Sequence, residues 1–220
     1  MVGSLHSERV RIKDDTVDME GVLWMPEEQI GVILFASGMG GSRLKPPGDY
    51  VGSVLRGVRI GTLWLDLLSQ QDVEGCPVQP DVALLTQRLR AACDWLRNYD
   101  ATRDLPVGLF AAGKGAAAAL QLAAAPGTRI SAIVSRGGRL DMAEHGTLAK
   151  VSAPTMLIVG GLDDRTVGVN RAAYAALRCK KKLEIIPGAT QAFEEPGSPE
   201  VVARLARGWF LQNMRIPLRM

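Results

Sequence analysis

The amino-acid sequence predicts one α/β domain with a mostly parallel eight-stranded sheet, an antiparallel start and helices on both faces. Short apolar runs alternate with helical segments along the chain, which is typical of parallel strands joined by right-handed helical crossovers. The first two runs are separated by a turn at Asp14-Asp15, as in a hairpin. The 220 residues, 47% of them hydrophobic and 22% charged, can bury one sizeable core and exclude a disordered chain.

Eight segments carry the pattern of strands. The first two are predicted to pair antiparallel, and the other six are compact apolar runs, as expected of strands buried on both faces. The eight predicted strands are Glu8–Lys13, Val17–Met25, Ile30–Ala36, Ile60–Asp66, Val107–Ala111, Ile130–Ser135, Thr155–Gly160 and Leu183–Ile186.

Four segments between the strands carry helical patterns. In the clearest, apolar residues recur at steps of three and four after Asp81, which suits an N-cap. The second is rich in alanine and nearly uncharged, so we expect it to be deeply buried and to end at Pro126-Gly127. The last opens with Ser198 as the N-cap and Pro199 at the first helical position. The predicted helices are Asp81–Asn98, Lys114–Ala125, Asn170–Cys179 and Ser198–Asn213.

The organisation of the chain predicts a single cytoplasmic domain over residues 1–213 and a loose tail over residues 214–220. The cysteines, odd in number and without a spaced pair, favour a reducing compartment; they are Cys76, Cys93 and Cys179. The first 15 residues lack the apolar stretch of a signal peptide. No segment approaches the ~20 apolar residues of a membrane span, so we expect no membrane partner.

The charges predict no nucleic-acid partner. The formal net charge is +3, and the basic residues are scattered rather than clustered on a patch. The only basic run, Lys180–Lys182, is interpreted as a solvated turn.

The predicted sheet also predicts where a ligand binds, because ligands of parallel sheets bind beyond the carboxyl ends of the strands. The segments that follow the predicted strands are Ser37–Arg43, Asp66–Leu68, Ala112–Gly115, Arg136–Arg139, Gly161–Val167 and Gly188–Phe193.

Several of these segments, in this order, resemble the α/β-hydrolase fold, and within it the small dienelactone hydrolase-like proteins. The resemblance covers about Val17 to Phe210. The residues that carry it are Leu34–Arg43, Val134–Arg139, Leu157–Asp163 and Pro187–Gln191. The connection from Arg136 to Thr155 is too short for a large helical lid, so a small lid is expected.

The resemblance implies a catalytic triad, and this chain departs from it. The family carries a Ser or Cys nucleophile on a Gly-x-nucleophile-x-Gly turn, which here reads Ala111–Gly115, with Gly113 at the nucleophile position. The position of the histidine reads Gln191, which cannot accept and return a proton near neutral pH. The acid is retained as Asp163, with the adjacent Asp164 as the alternative.

Other residues of the chain offer weaker replacements for the missing groups. The thiol of Cys93 is expected in the core, Ser135 as a satisfied buried hydroxyl and His145 in an exposed loop. Ser37 and Ser42 lie near the site but not on a strained turn, and His6 lies near the terminus.

The resemblance implies that an oxyanion hole survives, because it uses backbone N–H groups, here those of Lys114 and Met39. The predicted binding set also contains Gly38, Gly40, Ser42, Arg43, the cation Arg136 and the apolar residues Tyr50, Leu67, Met142, Val167 and Phe193. The apolar members suggest a cavity. A lysine in an apolar pocket can also form Schiff bases, and the sequence leaves that role of Lys114 open.

Two further chemistries are excluded by the motifs. Gly108–Gly115 is close to a phosphate-binding loop but ends in Gly115 instead of Ser or Thr, and Val107–Ala111 is needed as a strand. No cluster of His, Cys and carboxylates predicts a metal, and we expect no cofactor.

The predicted function is a non-hydrolytic one. A retained oxyanion hole and a shaped cavity would bind an apolar, carbonyl-bearing small molecule and promote a cyclisation, cycloaddition or elimination. One alternative is a pseudoenzyme that binds without turnover, and another is an esterase with a relocated nucleophile. A homodimer is a fair expectation for a protein of this size.

Overall fold

The structure, a computed structural model, describes residues 5–14, 17–37, 50–68 and 81–214, and these residues confirm the predicted fold class. Eight strands form one sheet in the order β1-β2-β4-β3-β5-β6-β7-β8. The strands are β1 Leu5–Lys13, β2 Asp18–Pro26, β3 Gly31–Ser37, β4 Ile60–Leu65, β5 Val107–Gly113, β6 Ala132–Gly138, β7 Thr155–Gly160 and β8 Lys181–Ile186. The helices are α1 Tyr50–Arg56, α2 Val82–Asn98, α3 Lys114–Ala124, α4 Asp164–Ala176 and α5 Ser198–Asn213.

The strand order places a crevice at the centre of the sheet. β2 pairs antiparallel with β1 and β4, and the remaining pairs are parallel. β3 lies between β4 and β5 in the sheet. The chain therefore leaves β3 towards one face of the sheet and leaves β5 towards the other. Such a switch point is where doubly wound sheets bind ligands.

Two apolar layers cover the sheet, one on each face. α2, α3 and α4 pack on one face, against Leu34, Leu109 and Leu157. α1 and α5 pack on the other, against Phe35 and Phe110. Successive residues of a strand point to opposite faces, which is why each of these strands must be apolar throughout.

The alanine-rich α3 is buried almost throughout, as predicted. It packs between α2 and strands β3, β5 and β6, and small side chains let it approach the sheet closely. The helix therefore begins at the end of β5 in the middle of the molecule.

Three predicted boundaries differ from the structure near the expected site. β6 continues through Gly138, so Arg136 belongs to a strand instead of a loop. α4 begins at Asp164, six residues before the predicted start, because the side chain of Asp163 caps it. A third boundary was not foreseen at all, since the seven-residue α1 was not predicted.

Two further local predictions were wrong. Lys181 belongs to β8, and its Nζ donates 2.6 Å hydrogen bonds to the carbonyls of Tyr174 and Leu177 at the end of α4, where a cation is favoured. α5 is capped by Gly197 at φ 85° instead of by Ser198.

The connection from β6 to β7 is short, as the predicted small lid requires. It holds two 3-10 helices, Leu140–Met142 and Leu148–Lys150. At the other end of the domain Met214, expected in the tail, is 7% exposed and packs with the α1–α5 layer, while residues 215–220 lie outside the described ranges. No helix within the described ranges has the length and apolarity needed to cross a bilayer.

Candidate functional site

Gly113 forms a sharp turn between β5 and α3. Its backbone angles are φ 54° and ψ −129°, a region that L-residues enter only under strain. A Cβ placed on Gly113 would meet no described atom within 4 Å. The turn therefore carries no side chain, and no described residue fills the space in front of it at the carboxyl edge of the sheet.

The N-terminus of α3 opens at this turn without a side-chain cap. Gly113 is its N-cap and supplies no hydrogen bond, and the first turn contains no acidic residue. The first N–H groups of a helix have no partner within the helix and carry partial positive charge. Lys114, the first helical residue, is half-buried and adds a cation to the same end.

The ends of β5 and β6 are tied together beside the turn. Gly113 pairs with Gly138 after a register shift at Ala112, and the N–H of Arg139 donates a 3.0 Å hydrogen bond to the carbonyl of Gly113. The buried amide of Asn170 on α4 donates to the carbonyl of Gly138 at 2.9 Å. α4 thus supports the turn through β6.

Gln191 crosses the end of β6 next to this turn. Its exposed side chain donates from Nε2 to the carbonyl of Gly137 at 3.2 Å. A Cβ on Gly137, which has φ 56°, would lie only 3.0 Å from the Cγ of Gln191. Glycine at position 137 is therefore needed for Gln191 to lie where it does.

Asp163 uses its carboxylate to cap α4. One oxygen accepts the N–H of Thr166 at 3.0 Å and the other accepts its hydroxyl at 2.6 Å. These hydrogen bonds, chiefly that from the hydroxyl, hold the pKa of the Asp163 carboxyl below its ordinary value. In the described part of the chain neither oxygen is hydrogen-bonded to Gln191, and Asp164, the alternative acid, is exposed.

Arg136 lies on the strand beside the turn and is half-buried. It is in register with Ala112 on β5, and its Cζ lies 5.7 Å from the ring centroid of Phe193. Its Nε is buried without a hydrogen-bond partner among the described residues. Burial lowers the pKa of the guanidinium, and the charge of Glu194 opposes that shift.

The apolar residues predicted for a cavity fall in different places. Phe193, 2% exposed, lies near Gly137 in the apolar layer under α1 and α5. Leu67 and Met142 pack in the opposite layer, under α2, α3 and α4. Tyr50 is 43% exposed at the start of α1, and Val167 is half-buried on α4. A common cavity stays a prediction.

Part of the predicted site lies outside the described residues. This part comprises Gly38, Met39, Gly40, Ser42 and Arg43. The strand before them is described, and its last residue, Ser37, is in register with Ala112. Their segment therefore starts one strand away from the Gly113 turn.

Two described candidates for a replacement nucleophile, Cys93 and Ser135, are both buried. Cys93 is 1% exposed, and burial raises the pKa of its thiol to about 12. Ser135 is fully buried, and its hydroxyl has no hydrogen-bond partner in the described ranges. The prediction that this hydroxyl is hydrogen-bonded was therefore wrong. His6 and His145 are both exposed, as expected for His145. The residues that the structure describes contain no group of three potential metal ligands.

Asn170 is the site residue that the sequence reasoning missed. The buried stripe of α4 consists of Thr166, Asn170 and Ala173, and two of these three side chains are polar. A polar stripe at helical spacing, facing the sheet, is the signal that could have identified it, because buried polar groups need specific partners.

Comparisons with solved structures agree with this architecture. A dienelactone hydrolase from Anabaena variabilis is 40% identical, with a TM-score of 0.90 over 96% of this chain and 99% of that one. Est1E from Butyrivibrio proteoclasticus is 14% identical, with a TM-score of 0.78 over 93% and 98% of the two chains, and it shares the fold. No protein-family model matches the chain.

Curated relatives are longer than this chain. Two proteins of Mycobacterium tuberculosis, each named "Putative phosphoribosyl transferase", are 42% identical over 210 residues. The match covers 96% of this chain and 47% of each relative, so the chain spans about half of their length.

The identity to the Anabaena protein extends over almost the whole of both chains. The chain belongs to the α/β-hydrolase superfamily, in its dienelactone hydrolase-like branch.

Proposed function

We propose that the chain binds an apolar, carbonyl-bearing small molecule at the Gly113 turn and promotes a cyclisation, cycloaddition or elimination without a covalent intermediate. The observation that carries the proposal is the geometry of Gly113. The turn has the required backbone geometry but carries no side chain, and no described atom lies within 4 Å of the place where a Cβ would stand.

The chemical contribution of the turn comes from its backbone. The N–H of Lys114 opens α3, where partial positive charge favours an oxygen that gains negative charge. A carbonyl held there would lose electron density from its carbon, which favours ring closure or loss of a leaving group. The N–H of Arg139 donates to the carbonyl of Gly113, which belongs to the same peptide plane as the N–H of Lys114. This hydrogen bond therefore holds the Lys114 N–H in one direction, and little reorganisation is needed in the reaction.

The described residues give little support to hydrolysis. Cys93 and Ser135 are buried, both histidines are exposed, and the carboxylate of Asp163 is engaged by Thr166. A general base within hydrogen-bond reach of a nucleophile is what such catalysis requires. The esterase alternative is therefore the weaker one.

A second candidate is a binding domain without turnover. The same commitment of Asp163 to the cap of α4 favours it, because both oxygens of that carboxylate already accept hydrogen bonds from Thr166. The name of the mycobacterial relatives raises phosphoribosyl transfer, but those proteins are about twice as long. β5 runs through Gly113, which leaves no loop in Gly108–Gly115 to wrap a phosphate.

Binding at the turn is tested with dihydrocoumarin, a neutral apolar lactone, by NMR. We expect its addition to shift the amide signals of Lys114 and Gly115. Gly113→Leu fills the open space and should weaken binding at least about tenfold. Gly127→Leu is the matched control, because Gly127 also has positive φ, 76°, and open space around its Cβ, but follows the other end of α3. Equal loss in both variants, or no shift at Lys114, contradicts the proposal.

Covalent labelling of serine distinguishes the hydrolase alternative from the two other candidate functions. A fluorophosphonate probe should leave the wild-type protein unmodified by mass spectrometry, whereas stoichiometric modification of any serine would favour a relocated nucleophile. Product analysis with dienyl ketones or β-hydroxy ketones then separates the remaining two candidates. A cyclised or eliminated product that Gly113→Leu no longer forms indicates an enzyme, and binding without product indicates a pseudoenzyme.

A further inference from the structure

Gln191 is an exposed polar side chain whose amide has a fixed orientation. Its Nε2 donates to the carbonyl of Gly137 at 3.2 Å. Because a backbone carbonyl can only accept, the amide nitrogen has to face Gly137, and the amide oxygen, Oε1, takes no part in this contact. Within the described ranges Oε1 accepts no hydrogen bond, and the side chain is exposed. Oε1 is therefore an acceptor that a ligand can use.

The segment that carries Gln191 packs closely against the ends of two strands. A Cβ on Gly160, the last residue of β7, would lie only 2.3 Å from the carbonyl oxygen of Thr190. At the end of β6, a Cβ on Gly137 would lie 3.0 Å from the Cγ of Gln191. These two glycines therefore allow Thr190 and Gln191 to lie directly against the carboxyl edge of the sheet.

A hydrogen bond and a strained backbone hold the same segment. The half-buried carboxylate of Glu195 accepts the N–H of Thr190 at 2.9 Å, and hydrogen bonding from Thr190 holds the pKa of that carboxyl below its ordinary value. Phe193, 2% exposed, has φ 57°, a conformation that is unfavourable for a bulky residue. Such strain persists only where the surrounding structure enforces it, and it is common at binding sites. An exposed amide on so constrained a segment indicates a binding role for Gln191.

The amide of Gln191 lies beside the Gly113 turn. Gly138 follows the residue whose carbonyl Gln191 contacts, and it pairs with Gly113 across β5 and β6. Neighbouring strands are about 4.8 Å apart. A ligand whose carbonyl accepts the N–H of Lys114 would therefore bring a group two or three carbons away within reach of Oε1.

We infer that Gln191 determines specificity by accepting, at Oε1, a hydrogen bond from a hydroxyl of the ligand, while the carbonyl of the same ligand lies at the Gly113 turn. This inference rests on the proposed function and specifies its substrate class as a hydroxy-carbonyl compound, with the hydroxyl two or three carbons from the carbonyl carbon. The amide is neutral, so it selects and orients the ligand without transferring a proton. Because the amide is held before the ligand arrives, little conformational entropy is lost on binding.

The inference is tested by calorimetry with 4-hydroxy-4-phenyl-2-butanone and its methyl ether, which keeps the oxygen but has no donor. We expect the wild-type protein to bind the hydroxy ketone about three- to tenfold more tightly than the methyl ether, as one neutral hydrogen bond provides. Gln191→Met should remove this preference by weakening binding of the hydroxy ketone alone. Gln212→Met is the matched control and should keep the preference, since Gln212 is an exposed glutamine near the end of α5.

A purely structural role of Gln191 would give a different result. If its amide only tied the segment to β6, Gln191→Met would weaken binding of both ketones equally and would lower the free energy of unfolding in urea. That result, a wild-type protein that does not distinguish the two ketones, or an unchanged preference in Gln191→Met overturns the inference. Dihydrocoumarin has no hydroxyl, so its binding at Lys114 would survive each of these failures, and the proposed function is judged separately.

Glu195 should act as a positioning residue for this amide. Glu195→Ala removes the acceptor for the N–H of Thr190, so the preference for the hydroxy ketone should largely disappear. Glu195→Gln keeps an acceptor oxygen and should keep the preference. Glu194→Ala is the control, because Glu194 is the preceding residue and is exposed. A preference that survives Glu195→Ala, or that Glu194→Ala abolishes equally, overturns the positioning role.

Discussion

Asn170 on α4 holds the end of β6 through a single buried hydrogen bond, 2.9 Å from its Nδ2 to the carbonyl oxygen of Gly138. The same Nδ2 also donates to the carbonyl of Thr166 at 2.9 Å. The residue after Gly138 is Arg139, whose N–H holds the carbonyl of Gly113. A fully buried amide on α4 thus supports, through β6, the turn on which the proposed chemistry depends.

Asn170→Ala should destabilise the protein by about 1–3 kcal/mol, because the carbonyls of Gly138 and Thr166 lose a buried donor. Urea unfolding measures the change. Asn98→Ala is the control, since Asn98 donates to the carbonyl of Asp94 in the same i to i−4 geometry but is exposed. Similar losses of unfolding free energy in the two variants would mean that the hydrogen bond to Gly138 does not stabilise the fold beyond an exposed contact.

Arg88 makes the second buried polar connection, and it ties α2 to the edge of the sheet. Its side chain is 1% exposed, donates from Nη1 to the carbonyl of Leu67 at 2.5 Å, and lies 4.0 Å from the carboxylate of Asp14. Arg88→Met should cost about 3–5 kcal/mol, because it leaves the Asp14 carboxylate, 5% exposed, without its cation.

A double-mutant cycle in guanidinium chloride tests this connection. Asp14→Asn removes the charge but keeps an acceptor for Gln87, which donates to Asp14 at 3.0 Å. We expect the double variant, Arg88→Met with Asp14→Asn, to lose clearly less than the sum of the single losses. Strict additivity would show that the two side chains are not coupled.

The sequence predicts the sheet well because apolar strands are a local pattern that the buried sheet imposes. All eight strands were predicted, and Thr155–Gly160 was predicted to the residue. α1 was missed because seven residues carry too little periodicity. The early start of α4 depends on the side chain of Asp163, which was assigned to the site instead of to a cap.

The candidate site was less predictable, because its contacts join distant segments. The turn at Gly113 follows from the local sequence, whereas the support that Asn170 gives to Gly138 links residues 32 positions apart. The partner of Gln191 is likewise a backbone carbonyl 54 residues earlier. No local sequence pattern distinguishes a polar side chain that makes such a long-range contact from one that only faces solvent.

Asp163 should make stability depend on pH. Its folded pKa is lowered from the ordinary value of 3.8, so its contribution is present above that value and is lost as the pH falls through the lowered pKa. Asp163→Ala should cost about 1 kcal/mol at pH 7, typical of an N-cap, and the difference from wild type should shrink below pH 3.8.

Thermal unfolding across pH 2 to 7 measures this effect. Asp164→Ala is the matched control, because Asp164 is the next residue, is exposed and lies in the first turn of the same helix. We expect it to change stability by no more than a few tenths of a kcal/mol. A difference between Asp163→Ala and wild type that does not vary with pH would contradict the capping role of the carboxylate.

The thiol of Cys93 should not react with thiol reagents while the protein is folded. Its thiol is 1% exposed, and burial raises its pKa from 9.0 to about 12, so almost no thiolate is present at pH 8. In a thiol-labelling experiment read by mass spectrometry, the half-buried Cys179 should react before Cys93. Cys93 should react only as fast as the protein opens, and it should become fast in urea. Rapid labelling of Cys93 without denaturant would contradict its burial.

Placing a serine at position 113 and a histidine at position 191 should not by itself create a triad. Gly113→Ser enters open space, but a histidine introduced by Gln191→His would find the oxygens of Asp163 occupied by Thr166. Because the hydroxyl of Thr166 makes the 2.6 Å bond, Thr166→Val should release one oxygen of Asp163. We therefore expect the triple variant to hydrolyse 4-nitrophenyl acetate at least about tenfold faster than the double variant, since an acid that orients the histidine improves general-base catalysis.

Fluorophosphonate labelling at position 113 in the variants, with Gly113→Ser alone as the baseline, separates an active serine from background hydrolysis. The Thr166→Val change in the wild-type background controls for loosening of α4 and should give no esterase activity, because position 113 is then still glycine. Equal rates in the double and triple variants would show that Asp163 does not face position 191. The assignment of Asp163 as the retained acid of the family would then be wrong, and Asp164 would be the residue to test next.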